Sequence, residues 1–187
     1  MKRRFALLTA CVSTSIVAIH LAAIAQAPPP PKPGPEHQRL AYFVGTWTGE
    51  GEMMPGPMGP GGKMTSKETC EWYDGHFAVI CRSENQSPMG KSKGLGILGY
   101  SPEEKVYTYY ATDSSGMMAM TSVPKGTVQG DTWTYTDEGL MGGQKVKSRV
   151  TLKEVSPKSY TFTMEIQGPD GKWAPMMKST QTKVKGT

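Results

Sequence analysis

Residues 145–167 read KVKSRVTLKEVSPKSYTFTMEIQ, and this stretch decides the fold class. In 145–153 and again in 159–167, apolar or aromatic side chains alternate with polar ones. An alternation with a period of two residues is typical of a strand that has one buried and one solvated face. The Ser-Pro-Lys sequence between the two runs has the residue types of a turn. The stretch therefore predicts an antiparallel β-hairpin.

Most of the chain after residue 44 repeats this pattern. Runs rich in aromatic and β-branched residues, which favour strands, are separated by short sequences that contain Gly, Pro, Asp or Ser. A helical turn is expected only from Pro35 to Phe43, with proline at its first position. Strands are predicted near residues 45–54, 63–73, 77–86, 92–100, 105–112, 116–123, 126–136, 144–155, 158–167 and 172–184.

Short connections between consecutive strands favour a meander, and a meander hides its edges best by closing on itself. The predicted fold is therefore all-β, an antiparallel up-and-down β-barrel of about ten strands with a short N-terminal helical turn. A sandwich of two sheets is the competing architecture.

Cys70 and Cys81 are the two cysteines that follow the N-terminal apolar segment. If Gly75-His76 forms a two-residue type II′ turn, Cys70 lies directly opposite Cys81 and Trp72 lies opposite Val79. Such a pair forms a bridge in an oxidising compartment. The sequence thus predicts a Cys70–Cys81 disulfide, and two buried free thiols are the alternative.

The N-terminal 25 residues have the features of a secretory signal peptide. A Lys-Arg-Arg start precedes small and apolar residues, and Ala23-Ile24-Ala25 fits the cleavage pattern. Residues 26–36 contain six prolines and are predicted to form an extended linker, followed by one domain over 37–187. The predicted location is periplasmic or secreted, with no membrane span after cleavage. A retained anchor is the alternative.

Composition excludes several classes of protein. The chain has 21 Lys and Arg against 16 Asp and Glu, and three of the cations lie in the signal peptide. The lysines are scattered, so no nucleic-acid partner is expected. A hydrophobic fraction of 37%, with 22 Gly and 15 Pro, argues against a coiled coil and against a bundle of membrane helices.

The start of the first predicted strand carries a resemblance to known barrels. Residues 45–51 read GTWTGEG and fit G-x-W-x-G-x-G, a pattern similar to the opening of nitrobindins, which are lipocalin-like haem barrels of ten strands. The chain more closely resembles the bacterial family of domain of unknown function 1579. That resemblance rests on GPEH (34–37), VGTWTG (44–49), GLGILGY (94–100) and GPDGK (168–172). It implies a lipocalin-like barrel and no established activity.

Neither a cofactor nor a catalytic centre is predicted. A nitrobindin-like site resembles one held by a histidine from the C-terminal part of the barrel, but the histidines here are His20, His37 and His76. Haem is therefore not expected. The chain lacks a Gly-x-Ser-x-Gly elbow and a His-Glu-x-x-His motif, and we predict that it is not an enzyme. By alternation, carboxylates such as Glu68, Glu84 and Glu165 are expected on the solvent face.

Methionine is unusually frequent, with 13 residues in the chain. Thioethers pack adaptably in cores and cavities, but they also select Cu(I). Met117, Met118 and Met120 form the candidate copper site, and packing is the simpler interpretation. The Met-Pro-Gly-rich residues 53–62 form either a flap over one end of the barrel or a mobile surface loop.

These observations favour an exported module that binds a small, mostly apolar molecule inside the barrel. The predicted interior residues are Trp47, Tyr107, Tyr109, Trp133, Tyr135, Phe162 and Met164. Such residues fill small barrels completely in many cases, so the cavity itself is a hypothesis. A Cu(I)-binding protein of the periplasm and a structural or partner-binding domain without a small ligand are the alternatives.

Overall fold

The computed structural model describes residues 31–56, 59–115, 122–141 and 144–184. A short helix, α1 (Pro35–Arg39), continues into a 3₁₀ turn over Leu40–Phe43. The remaining regular structure is ten strands: β1 (Gly45–Met53), β2 (Gly62–Trp72), β3 (Ala78–Ser87), β4 (Gly90–Ser101), β5 (Val106–Asp113), β6 (Lys125–Gln129), β7 (Thr132–Met141), β8 (Gln144–Ser156), β9 (Ser159–Gln167) and β10 (Trp173–Lys183).

The sheet closes into an antiparallel up-and-down barrel. Every strand pairs with its neighbours in the chain, and β1 pairs with β2 on one side and with β10 on the other. The predicted fold class and the helical turn at Pro35 are therefore confirmed. Closure satisfies the backbone groups that the first and last strands of a meander would otherwise leave exposed.

Glycines in β1 allow its two neighbours to approach closely. A Cβ atom at Gly51 would collide with the Lys178 carbonyl of β10, and one at Gly49 would collide with the side chains of Ser66 and Gln181. Since only glycine lacks a Cβ, these two positions let the barrel curve tightly where its first and last strands meet.

Two strand predictions need correction. The segment 126–136, predicted as one strand, contains the turn between β6 and β7 at Gly130-Asp131, where Gly130 has a φ of 60°. The Gly-Asp turn was missed because the aromatic residues that follow it favour a strand. The predicted strand 116–123 falls mostly outside the described residues, and its described part, 122–123, is not a strand.

The β2–β3 hairpin has the predicted register. Cys70 pairs with Cys81 and Trp72 with Val79, and the two sulfur atoms are bonded at 2.01 Å. The connection is longer than predicted, because residues 73–77 contain a 3₁₀ turn over Asp74–His76 in place of a two-residue turn. The positive φ angle of His76 in this turn, 61°, was not predicted.

A β-bulge interrupts β10. Pro175 pairs with Glu165 and Met177 with Met164, so Met176 is an extra residue on β10. Met176 and Met177 are consequently both buried although they are consecutive.

The predicted signal peptide, 1–25, lies outside the described residues, as do residues 26–30 of the predicted linker, 26–36. Because α1 begins at Pro35, the last two residues of that linker segment are helical. Within the described ranges, no helix has the length and apolar character needed to cross a membrane.

Candidate ligand cavity

The end of the barrel from which β1 starts is closed by a plug, which we define as α1, the 3₁₀ turn and the aromatic residues packed on them. Trp47 and Trp133 are fully buried in it. The Trp47 Nε1 donates a hydrogen bond of 2.7 Å to the carbonyl oxygen of Phe43. The Phe43 ring lies 5.0 Å from that of Trp133, in an edge-to-face arrangement. The plug is therefore solid protein and leaves no room for a ligand.

Charged side chains fasten the plug to the strands. The Arg39 guanidinium lies 2.6 Å from the Glu154 carboxylate, and the Trp133 Nε1 donates to the same oxygen at 2.6 Å. Lys183 sits over the Trp47 ring at 5.0 Å. These contacts connect α1 to β8, and they connect the plug tryptophans Trp133 and Trp47 to β8 and β10.

The other half of the barrel contains a cavity of about 240 Å³. Phe43 of the plug forms its floor, and its lining extends to Met89 at the β3–β4 turn. Met89 is 40% exposed, so the cavity reaches the protein surface at that turn. This volume lies just below the range of about 300–1,000 Å³ that is typical of small-molecule sites.

One wall of the cavity is apolar. It is built from residues of β4, β5, β8 and β9: Leu98, Tyr109, Leu152 and Phe162. Toward the open end of the barrel, three methionines of β1, β2 and β10 add to the apolar surface: Met53, Met64 and Met177. Methionine side chains adapt to irregular shapes, which suits a surface that packs on a variable apolar body.

The opposite wall is polar. Ser66, Ser83, Asn85, Ser179 and Gln181 project into the cavity from β2, β3 and β10. The Gln181 amide donates to the Ser179 hydroxyl at 3.1 Å, and the Asn85 amide donates to the Ser83 hydroxyl at 3.1 Å. Carbonyl and hydroxyl oxygens on this wall have further lone pairs with which they can accept hydrogen bonds.

A carboxyl group lies at the inner end of the polar wall. Glu68 of β2 lines the cavity near its floor and interacts with the Tyr160 hydroxyl through a hydrogen bond. Burial raises the pKa of Glu68 above its ordinary value of 4.5, and the hydrogen bond from Tyr160 opposes part of that rise. Burial also raises the pKa of Tyr109 and of Tyr160, each with a contribution from the charge of Glu68, so both phenols stay neutral.

The Tyr135 hydroxyl is buried and has no hydrogen-bond partner within the described part of the chain. Its ring fits because Gly126, directly opposite on β6, has no side chain to collide with it. Burial and the neighbouring Tyr109 and Tyr107 raise the pKa of Tyr135.

The seven predicted interior residues fall into two groups. Tyr109 and Phe162 line the cavity. The other five are buried but do not line it: Trp47, Tyr107, Trp133, Tyr135 and Met164. Their role in ligand binding remains a prediction. The four aromatic residues among them pack in the plug and in the layer directly above it.

The sequence interpretation of Glu68 was wrong. Glu84 is exposed as expected, and Glu165 pairs with Arg149 at 2.7 Å, but Glu68 faces the cavity. The signal for this was present, since Glu68 is two residues from Cys70 and shares its inward face. Counting back from the disulfide also places Ser66 and Met64 inside the barrel.

The described histidines, His37 and His76, do not line the cavity. His37 is buried in α1, where its Nδ1 accepts a hydrogen bond from the Gly34 amide at 3.2 Å. His76 stacks on Trp72 in the β2–β3 connection. Met117, Met118 and Met120 lie outside the described residues, as does part of the segment 53–62 that was predicted to be a flap or a loop.

Replacing Glu68 with glutamine is expected to change how stability depends on pH. Because the pKa is raised in the folded state, the unfolded chain loses its Glu68 proton first as the pH rises. The wild type therefore loses stability from just above the ordinary pKa up to the folded pKa, whereas Glu68→Gln does not. Urea unfolding at about pH 4 and about pH 8 measures this, and the stability difference in favour of the variant should grow with pH.

Glu84→Gln is the matched control, since Glu84 projects outward from the neighbouring strand. A pH dependence that is the same for Glu68→Gln and the wild type would contradict the assignment of a buried, proton-retaining carboxyl.

The fold and the cavity together define a ten-stranded, lipocalin-like β-barrel with a plugged end and a pocket. Comparison of the sequence with known protein families identifies the family within this class. The chain matches the family described as Protein of unknown function (DUF1579) over residues 32–183, and it belongs to that family. A comparison with curated proteins gives no match.

Solved structures share the fold at low sequence identity. Rv2717c from M. tuberculosis is 12% identical with a TM-score of 0.55, and the match covers 81% of this chain and 99% of that one. The S-type phycobiliprotein lyase CPES from Guillardia theta is 13% identical with a TM-score of 0.52, covering 81% and 94%. These similarities support the barrel fold and carry no information about activity.

Proposed function

We propose that this protein is a binding module that holds one small, largely apolar molecule in the barrel cavity. The observation that carries the proposal is the cavity of about 240 Å³ above the plug, with one apolar and one polar wall. Ligand pockets in proteins are typically concave, mostly apolar and provided with a few polar groups that fix orientation. The cavity has all three properties, and most of its lining residues come from strands.

Catalysis is not part of the proposal. A reaction that uses general acid–base chemistry needs a donor or acceptor placed at the reacting atom. Glu68 is the one titrating carboxyl near the floor in the described lining, and the phenols beside it have raised pKa values that keep them protonated. A binding role does not require these groups to change their protonation state.

We also propose that the barrel operates in an oxidising compartment outside the cytoplasm. The Cys70–Cys81 bridge supports this, because disulfides persist in exported proteins and are rare in the reducing cytoplasm.

Titration with 6-propionyl-2-(dimethylamino)naphthalene, a neutral dye whose emission depends on its environment, tests the binding role. Saturable binding of one dye per chain, with a blue shift of its emission, is the expected result. Ser83→Phe fills the cavity from β3 and should weaken binding at least about tenfold, equivalent to 1.4 kcal/mol.

Gln86→Phe is the control, because Gln86 lies on the outer face of the same strand. Dye binding that is unsaturable, or equal in the wild type and in Ser83→Phe, would exclude the cavity as the site.

A further inference from the structure

We infer, building on the proposed function, that the cavity selects small apolar molecules that carry an ammonium group, and that the Glu68 carboxylate is the partner of that group. The aromatic or aliphatic body of such a molecule would lie along the apolar wall. Its positive end would point to the floor, where Glu68 lies between the plug and the polar wall.

Glu68 has the position that such a role requires. In the β1–β2 register it is opposite Trp47, whose ring belongs to the plug, and in the β2–β3 register it is opposite Ser83 of the polar wall. A ligand that enters from the β3–β4 turn would reach Glu68 last. Its charged end would then be the most deeply placed part of the ligand.

The charge of Glu68 lacks a protein partner. Among the described residues, no Lys, Arg or His forms an ion pair with it. A carboxylate taken out of water without a cationic partner is costly, and this cost appears as the raised pKa of Glu68. A bound ammonium group would supply the missing charge and donate hydrogen bonds to the carboxylate.

The other charged groups of the lining are compatible with a cation. In the described part of the chain, three charged residues line the cavity, and two of them, Lys91 and Asp113, lie at its rim, at the start of β4 and the end of β5. Their opposite charges offset each other. Glu68 therefore sets the sign of the charge at the inner end.

Aromatic rings next to Glu68 favour the same ligand class. Tyr109, Tyr160 and Phe162 line the cavity around the carboxyl group or above it. The negative faces of such rings attract cations. An anionic ligand would instead meet a carboxylate and ring faces, both of which repel it.

A metal ion fits this position less well. The Glu68 carboxylate and the sulfur atoms of Cys70 and Cys81 lie within 4.8 Å of one another, but the two sulfurs are bonded to each other. A disulfide does not offer the thiolates that bind soft metals. Because no metal is expected to occupy this position, the Glu68 carboxylate is available to an organic cation.

Two probes of the same shape test the inference: 1-naphthylmethylamine, a cation at neutral pH, and 1-naphthalenemethanol, which is neutral. Each is used to displace the neutral dye from the wild type, from Glu68→Gln and from Glu84→Gln. In the wild type and in Glu84→Gln the amine should displace the dye at a concentration at least about tenfold lower than the alcohol. In Glu68→Gln this preference should disappear while the dye and the alcohol still bind.

The outcomes separate the inference from the proposed function. Equal displacement by the two probes in the wild type would overturn the ammonium site and leave the apolar cavity intact. A preference for the amine that survives in Glu68→Gln would also overturn it, because the cation would then be recognised elsewhere. Failure of the dye to bind at all would overturn both. The two probes can be compared in the wild type alone. The inference can therefore be contradicted even if Glu68→Gln fails to fold.

Discussion

Trp133→Ala is expected to lower the free energy of unfolding by about 3–5 kcal/mol, the range for a fully buried large aromatic residue. Trp133 is completely buried and packs against Phe43 and Tyr107, with ring centroids 5.0 and 4.8 Å away. Its Nε1 also donates to Glu154 at 2.6 Å, so the truncation leaves a partly buried carboxylate without one of its donors. Urea unfolding followed by circular dichroism measures the loss.

Phe162→Ala is the matched comparison. Phe162 is also an inward-facing aromatic residue, but it lines the cavity and is only partly buried. Its truncation removes fewer packing contacts and should cost less than about half of the loss at Trp133. Equal losses at the two positions would mean that the upper half of the barrel is as tightly packed as the plug, and this would contradict the cavity.

Removal of the disulfide is expected to cost roughly 2–3 kcal/mol, from the loop entropy that the bridge takes from the unfolded chain. Cys70 and Cys81 are separated by 11 positions, and both are nearly completely buried. The double variant Cys70→Ala, Cys81→Ala removes the bond together with its two sulfur atoms, and we expect it to retain the strand pairing. Its free energy of unfolding, compared with that of the oxidised wild type, gives the contribution of the bridge.

Two further measurements check the same assignment. Thiol titration of the unfolded, unreduced wild type should detect no free thiol from this pair. Addition of reductant should lower the stability of the wild type and leave that of the double variant unchanged. Two free thiols in the unreduced protein would show that the bridge does not form.

The barrel could be predicted from the sequence because its determinants are local. Alternation in 145–153 and 159–167 follows from the two faces of a strand, and the short turns between runs favour pairing of consecutive strands. The Cys70–Cys81 pairing is also local, since one hairpin fixes its register. The type of turn at residues 73–77 was missed because a longer connection can produce the same register.

The cavity could not be predicted in the same way. Alternation assigns Trp133 and Phe162 equally to the inner face, but whether inward side chains meet depends on the curvature of strands that are distant in sequence. The plug makes the difference, because α1 and the 3₁₀ turn bring Phe43 onto Trp133, whereas no described residue covers Phe162 in the same way. The polar wall was missed for a related reason, since it combines residues from β2, β3 and β10.

The bulge in β10 has a consequence for the origin of the polar wall. An extra residue shifts the phase of the alternation, so the positions after Met176 face the opposite way from those that an uninterrupted strand would give them. Ser179 and Gln181 reach the cavity because of this shift. Two of the five residues of the polar wall thus face the cavity because of the length of β10 rather than its composition. A single residue inserted into or deleted from this strand would exchange the cavity-facing and solvent-facing residues on one side of the change.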